Sequence, residues 1–128
     1  YCEVETNGTL APSQGMMEAV SQWNVSPKLG NSGDDRSRRE VPRAIAAFRG
    51  LDNAYFKFVI AEADDVEEAR SLVDRHDIPA GRVILMPEGV TAKSIEKRGK
   101  WVAKACTERG FRFSTRLHIL LWGDERGR

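Results

Sequence analysis

Apolar and polar positions follow two different periods along this chain. Short runs rich in aromatic and β-branched residues stand at residues 1–5 (YCEVE), 21–26 (SQWNVS), 55–61 (YFKFVIA), 82–86 (RVILM) and 116–122 (RLHILLW). Each has the length and composition of a strand. In the second run Trp23 and Val25 share a face. Helical spacing governs the segments between the later runs. Over 38–49, Val41, Ile45 and Phe48 recur on one face, Pro42 fits only in a first turn, and Gly50 is a stop. Over 64–77, Asp64 or Asp65 can cap a helix whose apolar stripe is Val66, Ala69, Leu72 and Val73. Over 91–109, Ala92, Ile95, Val102 and Cys106 form a face that ends at Gly110.

The predicted order is β, loop, β, α, β, α, β, α, β. Strands that read as near-continuously apolar, separated by amphipathic helices, imply an α/β fold: a parallel sheet with helices outside it. Five strands are too few to close an eight-stranded barrel. The first strand is then a bare edge unless something N-terminal to it pairs there. The chain starts at Tyr1 rather than Met and runs at once into that strand, so the expectation is a C-terminal part of something longer, forming one domain over residues 1–128.

Composition narrows the class. With 128 residues and 41% hydrophobic positions, the chain can build one core. Its 20 basic and 19 acidic residues give a net charge of +1, which argues against a general binder of nucleic acid. No apolar run approaches the roughly 18 residues that span a bilayer, so no membrane partner is expected. Cys2 and Cys106 make no C-x-x-C pair or zinc-like cluster, so no metal site is encoded, and both read as small core residues. A cytoplasmic protein with reduced thiols is the expectation, which makes the sequons at Asn7 and Asn24 coincidental.

In parallel α/β folds, ligands gather at the carboxyl ends of the strands. On this reading those ends carry Glu5-Thr6-Asn7-Gly8, Ser26-Pro27-Lys28, Ala61-Glu62-Ala63-Asp64, Met86-Pro87-Glu88-Gly89, and a last strand with His118 that runs out at Trp122. Together they offer hydroxyls, amides, a cation and carboxylates to one rim. Each also has a plainer reading. Asn7-Gly8 is a turn pair, Lys28 suits a solvated loop, Pro27 and Pro87 can end strands, Glu88 can cap a helix, and His118 can be a satisfied core histidine.

The rim segments VETNGT, VSPKLGNSG, FKFVI, RVILMPEG and LHILLWGDERG, in this order from Val4 to Gly127, resemble the C-terminal half of the 7-carboxy-7-deazaguanine synthase family of the radical S-adenosylmethionine superfamily. The resemblance implies the C-terminal part of an incomplete (β/α) barrel. It also implies a lyase of queuosine and 7-deazapurine biosynthesis. In that family a 4Fe–4S cluster, held by three N-terminal cysteines, cleaves S-adenosylmethionine reductively. The resulting radical starts the ring contraction of 6-carboxy-5,6,7,8-tetrahydropterin to 7-carboxy-7-deazaguanine, with loss of ammonia and help from Mg2+. An electron donor such as flavodoxin and a homodimer are further expectations. Carried over by residue, the cofactor-binding positions are Glu5, Asn7, Ser26, Pro27, Lys28, Met86, Pro87, Glu88 and Gly89, and His118 falls near the substrate. No catalytic residue is assigned. The three-cysteine motif and the Gly-Gly-Glu-Pro type segment are absent from this sequence, so this chain by itself is expected to be inactive. The alternative is a cluster-less α/β small-molecule-binding or scaffold domain without catalysis.

Overall fold

The computed structural model describes residues 1–125. Five strands form one fully parallel sheet in the order β1-β2-β3-β4-β5: β1 (Glu3–Thr6), β2 (Gln22–Val25), β3 (Ala54–Ile60), β4 (Val83–Pro87) and β5 (Arg112–Phe113). The helices are α1 (Gln14–Ala19), α2 (Arg36–Arg39), α3 (Pro42–Arg49), α4 (Ala63–Arg75), α5 (Ala92–Arg109) and α6 (Leu117–Trp122). The parallel α/β architecture read from the pattern is present. Every crossover returns the chain to the next position along the sheet. Because such crossovers share one hand, their helices stack on one face.

That face holds the core. Trp23, Val25, Phe56, Phe58, Ile60, Val83 and Leu85 are buried there, against Ile45 and Phe48 of α3, Val66, Ala69 and Leu72 of α4, and Val102 and Cys106 of α5. Trp23 and Phe48 meet edge to face, with ring centroids 5.3 Å apart. The opposite face is uncovered, so the strands alternate instead of being continuously apolar. Tyr55, Lys57 and Val59 of β3 and Ile84 and Met86 of β4 are only half-buried. Polar groups tile the rest of this face. Asn24 Nδ2 donates to the Glu3 carboxylate, and the Arg112 guanidinium stacks 5.2 Å from the centre of the Tyr55 ring. A half-barrel of this kind has helices outside and a polar inner wall. Among the described residues β1 pairs only with β2, so its outer edge is bare.

Three sequence readings need correction. RLHILLW is not the last strand: Leu117–Trp122 is helical, and the strand slot beside β4 is taken by Arg112–Phe113. Short apolar runs do not distinguish the two states. Only Ile119 of α6 is buried, while Leu117, Leu121 and Trp122 are exposed, which a strand inside a sheet would not allow. The helix expected over 38–49 is two helices, because a residue before proline avoids the helical region; Val41 lies extended at φ −108°, ψ 100°, and Pro42 opens α3. Glu62, not Asp64 or Asp65, is the N-cap of α4, and Asp65 accepts from the Ala61 and Glu62 amides, 2.8 Å each. In addition, the loop between the first two strands contains α1, capped by Ser13.

Candidate functional site

The carboxyl ends of the strands enclose a cleft of about 310 Å3. Glu5, Thr6 and Asn7 enter it from β1, and Ser26 and Lys28 from the end of β2. Lys57 and Val59 of β3 and Met86 of β4 face it, and Arg116 closes it from the segment after β5. The backbone explains this convergence. Parallel strands end on the same side, and residues two apart on one strand share a face.

The β1 end is a tight turn. Thr6 Oγ1 accepts from the Gly8 amide at 3.2 Å, and Asn7 Oδ1 accepts from the Thr9 amide at 3.1 Å and the Thr9 hydroxyl at 2.8 Å. Gly8 has φ +73°, and a Cβ there would lie 2.8 Å from Val25 Cγ1. Asn7-Gly8 is therefore a turn and, at the same time, places Asn7 at the cleft with its Nδ2 left to donate. Glu5 is ion-paired with Lys57 across the intervening β2.

Pro27 is buried and lines an adjoining hollow together with Ser26, Lys28 and Arg116. Its fixed φ holds Ser26 and Lys28 at the rim. The Lys28 carbonyl accepts from Arg39 Nη1 at 3.3 Å, and Arg39 is ion-paired with Glu68 at 2.6 Å. The loop is thereby tied to α4. The Lys28 ammonium has no carboxylate partner among the described residues and lines three adjoining hollows.

The β4 end divides. Met86 faces the cleft, while Pro87 is buried. Glu88 pairs with Arg98 at 3.2 Å. Arg98 also donates to the Ala61 and Glu88 carbonyls, 2.8 Å each, and so clamps the ends of β3 and β4. Gly89 is buried, a Cβ there would lie 2.4 Å from Ser94 Oγ, and its carbonyl accepts from Arg116 Nη1 at 3.1 Å. Pro87, Glu88 and Gly89 thus shape the rim from behind. His118, predicted in a strand, is exposed on α6 and is not among the residues lining the cleft.

Sequence reasoning placed Thr6 at the rim without giving it a role, and missed Lys57, Val59 and Arg116. The signal for Lys57 was available: a lysine between Phe56 and Phe58 must point to the face opposite theirs. Arg116 was hidden because its segment was taken for strand.

The described residues fit an organic ligand better than a metal cluster. Among them no group of three or more His, Cys, Asp and Glu side chains could hold a metal ion. Cys2 is exposed, and burial pushes the Cys106 thiol up, which keeps it protonated. A cleft with carboxylate, amide, hydroxyl and cations around an apolar floor of Val59 and Met86 suits a small polar molecule with a flat ring.

Fold and cleft together define a class: part of a parallel β/α barrel, with a cleft at the strand ends. No family model matches the chain. The particular relatives are 7-carboxy-7-deazaguanine synthases. The one from Pyrobaculum aerophilum is 40% identical over 98% of this chain and 54% of its own length. The one from Halobacterium salinarum is 33% identical over 97% of the chain and 55% of its own length. A third, from Rhodopirellula baltica, is 26% identical over 99% of the chain and 52% of its own length. The resemblance read from the rim motifs is borne out along nearly the whole chain, and the chain spans about half the length of these relatives.

Proposed function

We propose that this chain is the cofactor- and substrate-binding part, one domain over residues 1–128, of a 7-carboxy-7-deazaguanine synthase. The observation that carries this reading is the convergence of Glu5, Asn7, Ser26, Lys28 and Met86, five positions chosen from motifs alone, on one cleft. In this reading the whole enzyme is a cytoplasmic carbon–nitrogen lyase. It contracts 6-carboxy-5,6,7,8-tetrahydropterin to 7-carboxy-7-deazaguanine, with electrons from a flavodoxin-like donor, and works as a homodimer.

The described residues do not fit the ligands of a 4Fe–4S cluster or of Mg2+. They do fit S-adenosylmethionine, which when bound supplies the radical that removes a hydrogen atom from the substrate. Ser26 and Lys28 would hold its amino-acid end, Lys28 as a point charge for the carboxylate. Asn7 Nδ2 and the Glu5 carboxylate would hold the ribose hydroxyls, with Glu5 kept in place by Lys57. Met86 and Val59 would support the adenine. Pro27, Pro87, Glu88 and Gly89 act through the backbone they position. His118 reaches a substrate only if α6 faces it in the whole protein.

The test is binding of S-adenosylmethionine to the full-length, cluster-reconstituted protein by equilibrium dialysis. Lys28→Ala is expected to weaken binding by about 10-fold or more, the loss of one charge-assisted hydrogen bond. Unchanged affinity in both Lys28→Ala and Ser26→Ala would refute the placement.

A further inference from the structure

The loop over residues 28–34 is fastened to α4 by one carboxylate. Glu68 is half-buried in the second turn of that helix. It accepts from the Gly30 amide with both oxygens, 3.0 Å each, and is ion-paired with Arg39 Nη1 at 2.6 Å. The Arg39 side chain is 11% exposed. Its Nη1 also donates to the Lys28 carbonyl at 3.3 Å, and its Nε to the Asp34 carbonyl at 3.1 Å. Glu68 and the arginine it holds therefore reach the backbone of the loop at its first residue, near its middle and at its last. The approach is close, since a Cβ on Gly30 would lie 3.2 Å from Glu68 Oε2.

Much of the loop is secured without this pair. Leu29 is 2% exposed, and Asn31 Nδ2 donates to the Val59 carbonyl at 3.2 Å. On the other side of Pro27, the Ser26 amide donates to the Thr6 carbonyl at 2.7 Å, so Ser26 is held by the sheet. What Glu68 and Arg39 add is a fixed peptide at Lys28. A lysine carries a point charge on a flexible stem, so its reach is set by where its backbone is held. A loosened backbone must be ordered again when a ligand binds, and that ordering weakens affinity.

We infer that Glu68, acting through Arg39 and the Gly30 amide, is a positioning residue that sets Lys28 at the cleft. This deepens the proposed function and rests on the placement of S-adenosylmethionine beside Lys28. Glu68 touches no ligand on this account, and its effect passes through the Lys28 side chain and not through Ser26.

The experiment is a pair of double-mutant cycles on the full-length, cluster-reconstituted protein, read as the Kd of S-adenosylmethionine by equilibrium dialysis. Glu68→Ala is expected to weaken binding by about 5-fold or more. Combined with Lys28→Ala, it is expected to add nothing beyond the loss from Lys28→Ala alone, within about 2-fold. Combined with Ser26→Ala, the two losses are expected to multiply. A merely structural role would lower affinity by the same factor in both backgrounds. Wild-type affinity in Glu68→Ala, or losses that multiply in the Lys28→Ala background, overturns the assignment. Should Glu68→Ala not fold, Glu68→Gln keeps an acceptor for the Gly30 amide and loses only the ion pair; it takes the same place in both cycles, with the same pattern expected and the same results overturning it. Wild-type affinity in Lys28→Ala and Ser26→Ala alike overturns the cofactor placement itself, whereas a weakened Lys28→Ala beside an unaltered Glu68→Ala overturns only the role of Glu68.

Discussion

Glu40 is the buried charge on which the loop behind the cleft depends. It follows α2, its side chain is 7% exposed, and it accepts from three groups: Arg36 Nε at 2.9 Å, Arg75 Nη2 at 2.9 Å, and the His76 ring, whose Nε2 lies 2.8 Å away. Burial pushes its carboxyl up. The hydrogen bonds from Arg75, Arg36 and His76, with the charge of Arg75, outweigh that and hold it at about 2 against an ordinary 4.5. A depressed carboxyl stabilises the fold fully above its unfolded value, and the contribution is lost as pH falls toward the folded one. The gap corresponds to about 3 kcal/mol, of which about 2 kcal/mol is gone by about pH 3. The perturbation is Glu40→Gln, which keeps the shape and removes the charge. Urea unfolding followed by circular dichroism should show the variant less stable than wild type by about 3 kcal/mol near neutral pH. That difference should shrink steadily as pH falls below about 4.5. A variant whose deficit is the same at neutral and acid pH would refute the reasoning, since the loss would then be one of packing and not of charge.

Two further perturbations separate the core from the rim. Phe48→Ala empties the space beside Trp23 and should cost about 3–5 kcal/mol in urea unfolding; a loss under about 1 kcal/mol would mean that the Trp23–Phe48 pair is not central to the core. Gly8→Ala meets both a positive φ and Val25 Cγ1 at 2.8 Å, so it should cost about 1–3 kcal/mol and lower cofactor affinity by moving Asn7. A thermal melt and equilibrium dialysis check the two effects, and unchanged values in both would show that the turn tolerates a side chain.

Much of the fold was legible because two periodicities alternate along the chain. The stripe Val66, Ala69, Leu72, Val73 admits only a helix, and Phe56, Phe58 and Ile60 admit a strand with one buried face. What stayed hidden depends on contacts between elements. Whether LHILLW is strand or helix is decided by which segment sits beside β4, and Arg112–Phe113 took that place with two residues, followed by the Ser114 amide donating to the Leu85 carbonyl at 3.0 Å. The polar inner wall was masked for a similar reason. Lys57 and Tyr55 look like interruptions of an apolar run until the helices are known to cover one face only. At the cleft, Lys28 and Ser26 were visible because Pro27 marks a strand end. Arg116 was not, because only the folded chain brings it opposite them.

The most direct measurement is turnover by the full-length protein, with its iron–sulfur cluster reconstituted, on 6-carboxy-tetrahydropterin and S-adenosylmethionine without oxygen, followed by mass spectrometry. The account predicts that 7-carboxy-7-deazaguanine accumulates and that Lys28→Ala slows its formation by about 10-fold or more when S-adenosylmethionine is limiting. A cluster-loaded protein that cleaves S-adenosylmethionine yet makes no deazaguanine from this pterin would contradict it.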